Sequence, residues 1–213
     1  LGRDSNASGE SSTALGSGAK AQGKYSFAGS VNATASGIES IAIGRDAEAR
    51  ANDSISQGLS SSAHKESDIA IGTSSVANGT RKSKTSCDTS PSAASKGMTC
   101  DDGTAIAVGK DANATGYSTI AVGKNATASY DDATAIGTYS NATHDKSTAI
   151  GPAASALNIG AFAGGFNATA SGKDSLALGT DAQSTHKDSV ALGSGSKTQN
   201  AVPNPSQDFF KKK

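Results

Sequence analysis

A 14-residue unit recurs along most of the chain and limits what the chain can fold into. The unit reads S-x-A-x-G-x-x-A-x-A followed by four variable residues, and residues 40–49 are a clear copy. We number its positions 1 to 14. Copies begin, in steps of 14 within each of two sets, at Ser12, Ser26, Ser40, Ser54 and Asp68, and at Ala105, Thr119, Ala133, Ser147, Ala161, Ser175 and Ser189. Such a repeat indicates stacked structural units rather than a disordered low-complexity chain.

Each unit predicts two short strands and two turns. Positions 2 and 4 are mostly aliphatic around a small residue at position 3, which is the alternation of a strand. Position 5 is glycine in every unit but one, where Ser30 stands, and positions 8 to 10 repeat small-x-small. A glycine at the end of a strand suits a turn with positive φ. Because this period is too short for a helix-containing repeat, we expect an all-β parallel solenoid.

The two faces of the first strand have different characters. Side chains alternate between faces, so positions 2 and 4 point away from the small residues at position 3. We expect positions 3, 8 and 10 to form a thin interior and positions 2 and 4 to point outward. An outward aliphatic face of this length exceeds what a soluble monomer tolerates, so the pattern requires self-association, as a dimer or a trimer. The residues predicted to lie in the shared core are Ile41, Ile43, Ile69, Ile71, Ile106, Val108, Ile120, Val122, Ile136, Ile150, Leu176, Leu178, Val190 and Leu192.

The aliphatic face is thinned at position 4 of three units, by Gly29, Gln57 and Gly164. Phenylalanine occupies position 2 of the two units with glycine, as Phe27 and Phe162. We expect each large ring to fill the space beside the missing side chain.

Composition and motifs exclude several classes of function. The 19 Lys and Arg residues balance 19 Asp and Glu residues, so the chain lacks the basic excess of a nucleic-acid-binding protein. It has no apolar run of about 18 residues, and its start does not read as a signal peptide. His64, His144 and His186 fall on distant units and cannot meet at one metal. No nucleophile elbow, phosphate loop or paired-carboxylate cleft is visible, so we expect no enzyme activity, metal or cofactor.

The repeats resemble a known family. Residues 38–44 (IESIAIG), 67–72 (SDIAIG) and 188–193 (DSVALG) look like the S-[V/I]-A-[I/L]-G repeats of YadA-like heads in trimeric autotransporter adhesins. The likeness extends over residues 1–81 and 105–202. It implies a left-handed parallel β-roll, assembled as a homotrimer, with the predicted shared core as its trimer core. It also implies an exposed passenger region at the bacterial outer membrane, with the membrane anchor in sequence outside this chain.

The resemblance further implies a role in cell adhesion and virulence. The candidate ligands are host extracellular matrix proteins, cell-surface receptors and other bacteria. The alternative is a structural spacer in a surface fibre that presents another binding domain.

Residues 82–104 interrupt the repeat, because their 23 residues are not a multiple of 14. Both cysteines, Cys87 and Cys100, lie in this insertion, and in a secreted protein we expect them to form a disulfide. A long insertion in a regular rod is either a specific contact surface or a segment tolerated at a turn, and the sequence leaves both open. We assign residues 1–202 to the head repeats and 203–213 to a tail or connector. The candidate ligand contacts are the cations Arg81, Lys82, Lys84 and Lys96.

Overall fold

The computed structural model describes residues 2–79 and 103–199, which form short strands and turns and no helix. None of these residues therefore provides a helix that could span a bilayer. The strands alternate between segments near positions 2 to 4 and segments at positions 9 and 10. In chain order they are β1 (Asn6–Ala7), β2 (Thr13–Leu15), β3 (Lys20–Ala21), β4 (Phe27–Gly29), β5 (Thr34–Ala35), β6 (Ile41–Ile43), β7 (Glu48–Ala49), β8 (Ile55–Gln57), β9 (Ser62–Ala63), β10 (Ile69–Ile71), β11 (Val76–Ala77), β12 (Ala105–Val108), β13 (Asn113–Ala114), β14 (Thr119–Val122), β15 (Thr127–Ala128), β16 (Thr134–Ile136), β17 (Asn141–Ala142), β18 (Thr148–Ile150), β19 (Ser155–Ala156), β20 (Phe162–Gly164), β21 (Thr169–Ala170), β22 (Leu176–Leu178), β23 (Gln183–Ser184) and β24 (Val190–Leu192).

The strands form two parallel sheets, each of 12 strands in the described part of the chain. Even-numbered strands form one sheet, here called the aliphatic sheet, and odd-numbered strands form the other, the polar sheet. Each strand pairs in register with the strand one unit further on, as Ile106 with Ile120 and Thr127 with Asn141. This arrangement confirms the predicted parallel solenoid, with one turn of chain for each 14-residue unit.

The sheets continue across the insertion without a change of register. Ile69 pairs with Ile106 in the aliphatic sheet, and Val76 pairs with Asn113 in the polar sheet. Both pairs join the same unit positions, 2 and 9, that are joined everywhere else. The insertion therefore leaves the stack intact on both of its faces.

The interior is made of alanine. Every buried apolar residue in the described ranges is an alanine, and nearly all are fully inaccessible. Most occupy positions 3, 8 and 10, as Ala121, Ala126 and Ala128 do, which confirms the predicted thin interior, and the others, Ala105, Ala133 and Ala161, occupy position 1. In one unit positions 3 and 8 are both serine, and the hydroxyls of Ser56 and Ser61 hydrogen-bond to each other at 2.7 Å. A buried polar group here thus comes with a partner.

Position 1 also points inward, and where it is serine its hydroxyl hydrogen-bonds to the turn before it. The Ser40 hydroxyl donates to the Gly37 carbonyl at 2.7 Å, and the Ser175 hydroxyl donates to the Gly172 carbonyl at 2.7 Å. These carbonyls belong to position 12 of the preceding unit. The backbone N–H of the same serine also donates to this carbonyl, at 3.4 Å for Ser40 and 3.3 Å for Ser175, so the hydroxyl adds a second and shorter bond to the turn.

The two turns of each unit have fixed backbone requirements. Positions 7 and 14 are left-handed, as at Asp46 (φ 58°) and Asp53 (φ 56°), and Asp and Asn adopt this conformation more readily than most residues. Position 5 is more restrictive. At Gly123, φ is 137°, and an added Cβ would lie 2.5 Å from the carbonyl oxygen of Gly137. Glycine is therefore favoured here both by its own φ and by contact with the next rung, meaning the next 14-residue turn of the roll, although Ser30 holds the same position with a φ of 118°.

A pair of alanine substitutions separates these two requirements. Gly193 has a φ of 109°, but an added Cβ meets no described atom within 4 Å. We expect Gly123→Ala to lower the free energy of unfolding more than Gly193→Ala does, by about 1–3 kcal/mol, because of these two glycines only Gly123 has a described atom of the next rung in the way of a Cβ. Urea unfolding of both variants measures the difference. Equal losses would mean that the stacking contact does not require glycine.

Candidate functional site

The outward face of the aliphatic sheet carries a row of mostly apolar side chains, interrupted by Gln57 and by the threonines Thr13, Thr134 and Thr148. In β6, Ile41 is half-buried and Ile43 is 40% exposed, while Ala42 between them is fully buried. The same pattern recurs along the sheet, so the residues of the predicted shared core all lie on this face and none is buried in the single chain. They are Ile41, Ile43, Ile69, Ile71, Ile106, Val108, Ile120, Val122, Ile136, Ile150, Leu176, Leu178, Val190 and Leu192.

Parallel in-register pairing aligns these side chains into two rows. Ile106 stands beside Ile120 in the row of position 2, and Val108 stands beside Val122 in the row of position 4. Neighbouring strands are about 4.8 Å apart, so adjacent side chains touch along the row. Fully burying a Val, Leu or Ile side chain contributes about 1.5–3 kcal/mol. This face is therefore where an association partner would gain most free energy.

The phenylalanine rings fill the gaps left by glycine in these rows. A Cβ added to Gly29 would lie 2.7 Å from Cε1 of Phe27, and one added to Gly164 would lie 3.0 Å from Cε1 of Phe162. Each ring therefore lies over the glycine of its own strand, as expected from the sequence. The apolar face stays covered at these two rungs.

A buried carboxylate marks the junction where the insertion leaves the roll. Asp68 is at position 1 of the unit before the insertion and is fully buried. Its Oδ1 accepts the backbone N–H of Ala105 at 2.8 Å, and its Oδ2 accepts those of Lys65 at 2.9 Å and Gly79 at 3.1 Å. Burial raises the pKa of the Asp68 carboxyl above its ordinary value of 3.8, although the backbone hydrogen bonds act in the opposite direction.

The predicted residues of the insertion lie outside the described residues, as does the tail at 203–213. Its disulfide and its contact role therefore stay predictions. The residues concerned are Arg81, Lys82, Lys84, Cys87, Lys96 and Cys100.

The three histidines are engaged locally rather than with one another. His64 Nε2 is 2.5 Å from the Ser62 hydroxyl, and burial together with nearby Arg50 lowers the pKa of His64. His144 stacks on Tyr130 of the neighbouring rung, with ring centroids 5.6 Å apart. Residues 2–79 and 103–199 contain no group of three or more His, Cys, Asp or Glu that could hold a metal ion.

Comparison with known proteins identifies what the chain is similar to. Among solved structures, the crystal structure of the collagen-binding domain of the Yersinia adhesin YadA is similar at 26% sequence identity, covering 78% of this chain and 65% of that chain, with a TM-score of 0.35. The chain thus spans less than two thirds of that structure's length. No match was found among curated proteins. The family model of the YadA head domain repeat matches residues 7–28, 32–61, 63–81, 104–126, 114–140, 128–154, 142–168 and 170–196.

A charge on the aliphatic face should prevent self-association. Ile120→Asp places a carboxylate in the middle of the apolar rows, where an association partner would have to desolvate it. Thr127→Asp is the matched control, because Thr127 lies on the polar sheet of the same unit. We expect sedimentation velocity to give a smaller species for Ile120→Asp and the parent species for Thr127→Asp. If only Thr127→Asp dissociated the assembly, the interface would lie on the polar sheet and the prediction would be wrong.

The raised pKa of Asp68 predicts a pH dependence with a definite sign. Between its ordinary and its raised pKa, the folded chain binds more protons at this site than the unfolded chain does. The contribution of Asp68 to stability therefore falls as pH rises through this window and is constant above it. We expect the difference in unfolding free energy between the parent and Asp68→Asn to decrease over the same window. A carboxyl ¹³C titration by NMR with a midpoint at or below 3.8 would contradict this prediction.

Proposed function

Because the chain belongs to the family of YadA head domain repeats, we propose that it is the head of a homotrimeric adhesin at the bacterial cell surface. The family supports an adhesin-like role and an assembly of three chains. The observation that carries the proposal is the outward aliphatic face of the single chain. A face of this length needs an apolar partner, and two further copies of the chain supply one at every rung.

The trimer would leave the polar sheet and the turns accessible to ligands. Position 9 of the polar sheet carries half-exposed polar side chains in register, such as Thr127, Asn141 and Ser155. One rung offers few contacts, but similar contacts recur at about 4.8 Å along each of three copies. Repetition of weak contacts raises overall attachment by avidity, without a deep pocket or catalysis. We propose host extracellular matrix proteins or cell-surface receptors as the ligands, and no enzyme activity.

We assign the insertion a second, more specific contact within this function. In this proposal residues 82–104 are closed by a disulfide between Cys87 and Cys100 and present their cations to the ligand. The repeats of residues 1–202 then act as the scaffold and as the avidity surface. The proposed contact residues are Arg81, Lys82, Lys84 and Lys96.

Mass and attachment test the proposal together. We expect sedimentation equilibrium at micromolar concentration to give three times the chain mass of 20.9 kDa. The trimer should attach to immobilised collagen, to other matrix proteins or to host cells. Ile120→Asp should attach at least about tenfold more weakly, because it loses avidity.

Three outcomes decide against parts of this proposal. A monomer at micromolar concentration would overturn the trimeric head. A trimer whose attachment survives deletion of residues 82–104 would place the ligand contacts on the rungs. A trimer that attaches to none of these surfaces would favour the spacer function.

A further inference from the structure

We propose that Asp68 is a positioning residue that holds the roll in register across the insertion. It does so by accepting the backbone N–H groups on both sides of the gap, Gly79 before the insertion and Ala105 after it. These two residues are far apart in sequence but are bridged by one carboxylate. The role is independent of which ligand the head binds.

At the junction these two N–H groups donate to a side chain, whereas many of their described counterparts in other units donate to backbone carbonyls. In three described units the position-12 N–H donates to the position-10 carbonyl of the next rung, as Gly172 does to Ser184 at 3.3 Å. The position-1 N–H donates to the carbonyl three residues back, as Ser147 does to His144 at 3.1 Å. At the junction both N–H groups instead donate to Asp68.

Gly79 and Ala105 are themselves buried, so water would be a poor substitute for the Asp68 carboxylate. A buried N–H without a partner costs about 1–3 kcal/mol. Two such groups at one junction would favour opening of the stack there.

A carboxylate at position 1 can accept all three N–H groups at this junction, which exceeds what the serine of other units accepts. A serine hydroxyl at this position donates its proton to the preceding turn, as Ser54 does to the Ala51 carbonyl at 2.6 Å. An ionised carboxylate has no proton to donate but has about four acceptor sites on two oxygens. Asp68 uses them for Lys65 of its own turn and for the two N–H groups of the junction. Position 1 is aspartate in this unit alone and serine, alanine or threonine in the others.

The junction is then an insertion point at which a segment can leave and re-enter the roll. The carboxylate accepts N–H groups from both sides of the insertion, and the next strands pair in the same register as the strands elsewhere. The inserted sequence does not need to supply any of these bonds itself. The length and composition of the insertion can therefore vary with the ligand that the head binds.

Amide hydrogen exchange in two backgrounds tests this role. In the full chain, Asp68→Ser should speed exchange at the Gly79 and Ala105 amides on the order of tenfold or more, since both lose a buried acceptor. Asp68→Asn, which keeps the shape and one acceptor oxygen, should give a smaller increase. Ser54→Ala is the control, because its hydroxyl serves only its own turn, and it should leave both amides unchanged.

The second background removes the need for the carboxylate. Deleting residues 82–104 joins Arg81 to Ala105 and restores the 14-residue step. There Asp68→Ser should be neutral or should raise the midpoint of thermal unfolding, because serine is the usual residue and a buried charge is removed. Equal destabilisation by Asp68→Ser in both backgrounds, or unchanged exchange at Gly79 and Ala105 in the full chain, would overturn the proposal.

Discussion

The alanine interior is the constraint on which the rest of the structure depends. Methyl groups bury little apolar area per residue, so the roll gains less from its interior than a domain with a Leu and Phe core does. Backbone ladders, hydroxyls at position 1 and paired serines such as Ser56 and Ser61 must supply the remaining order. The larger apolar side chains lie on the outer face of the aliphatic sheet and in the turns. The same constraint therefore explains why the fold is regular and why the single chain is incomplete.

Much of this architecture could be predicted from the sequence because each structural position has its own residue type. The 14-residue period predicted the stacking, and the alternation of residue types predicted the two faces of the strand. Phe27 two residues before Gly29 predicted that the ring fills the space beside the glycine, which the structure confirms. The inward hydroxyl bond at position 1 could not be derived, since its acceptor depends on how the preceding turn folds. Strand periodicity carries no information about that turn geometry.

Asp68 shows a different limit of sequence reasoning. In the printed sequence it looks like a polar replacement for serine at an unremarkable repeat position. Its role depends on N–H groups that are 11 and 37 residues away and that meet only after the roll has formed. The signal that could have found it is positional: the one acidic residue at position 1 falls in the unit directly before the repeat is broken. A departure from a repeat is informative when it coincides with a departure from the period.

The unbroken pairing of Ile69 with Ile106 has a consequence for how such a head can diversify. Each rung contacts only the rungs on either side of it, and these contacts are nearly the same along the whole roll. Duplication or loss of a unit would change the reach of the rod by about 4.8 Å and leave its cross-section unaltered. Segments inserted at a junction that has a suitable hydrogen-bond acceptor would change the side surface of the rod independently of its length. Length and specificity can thus evolve by separate genetic events, without either having to wait for the other.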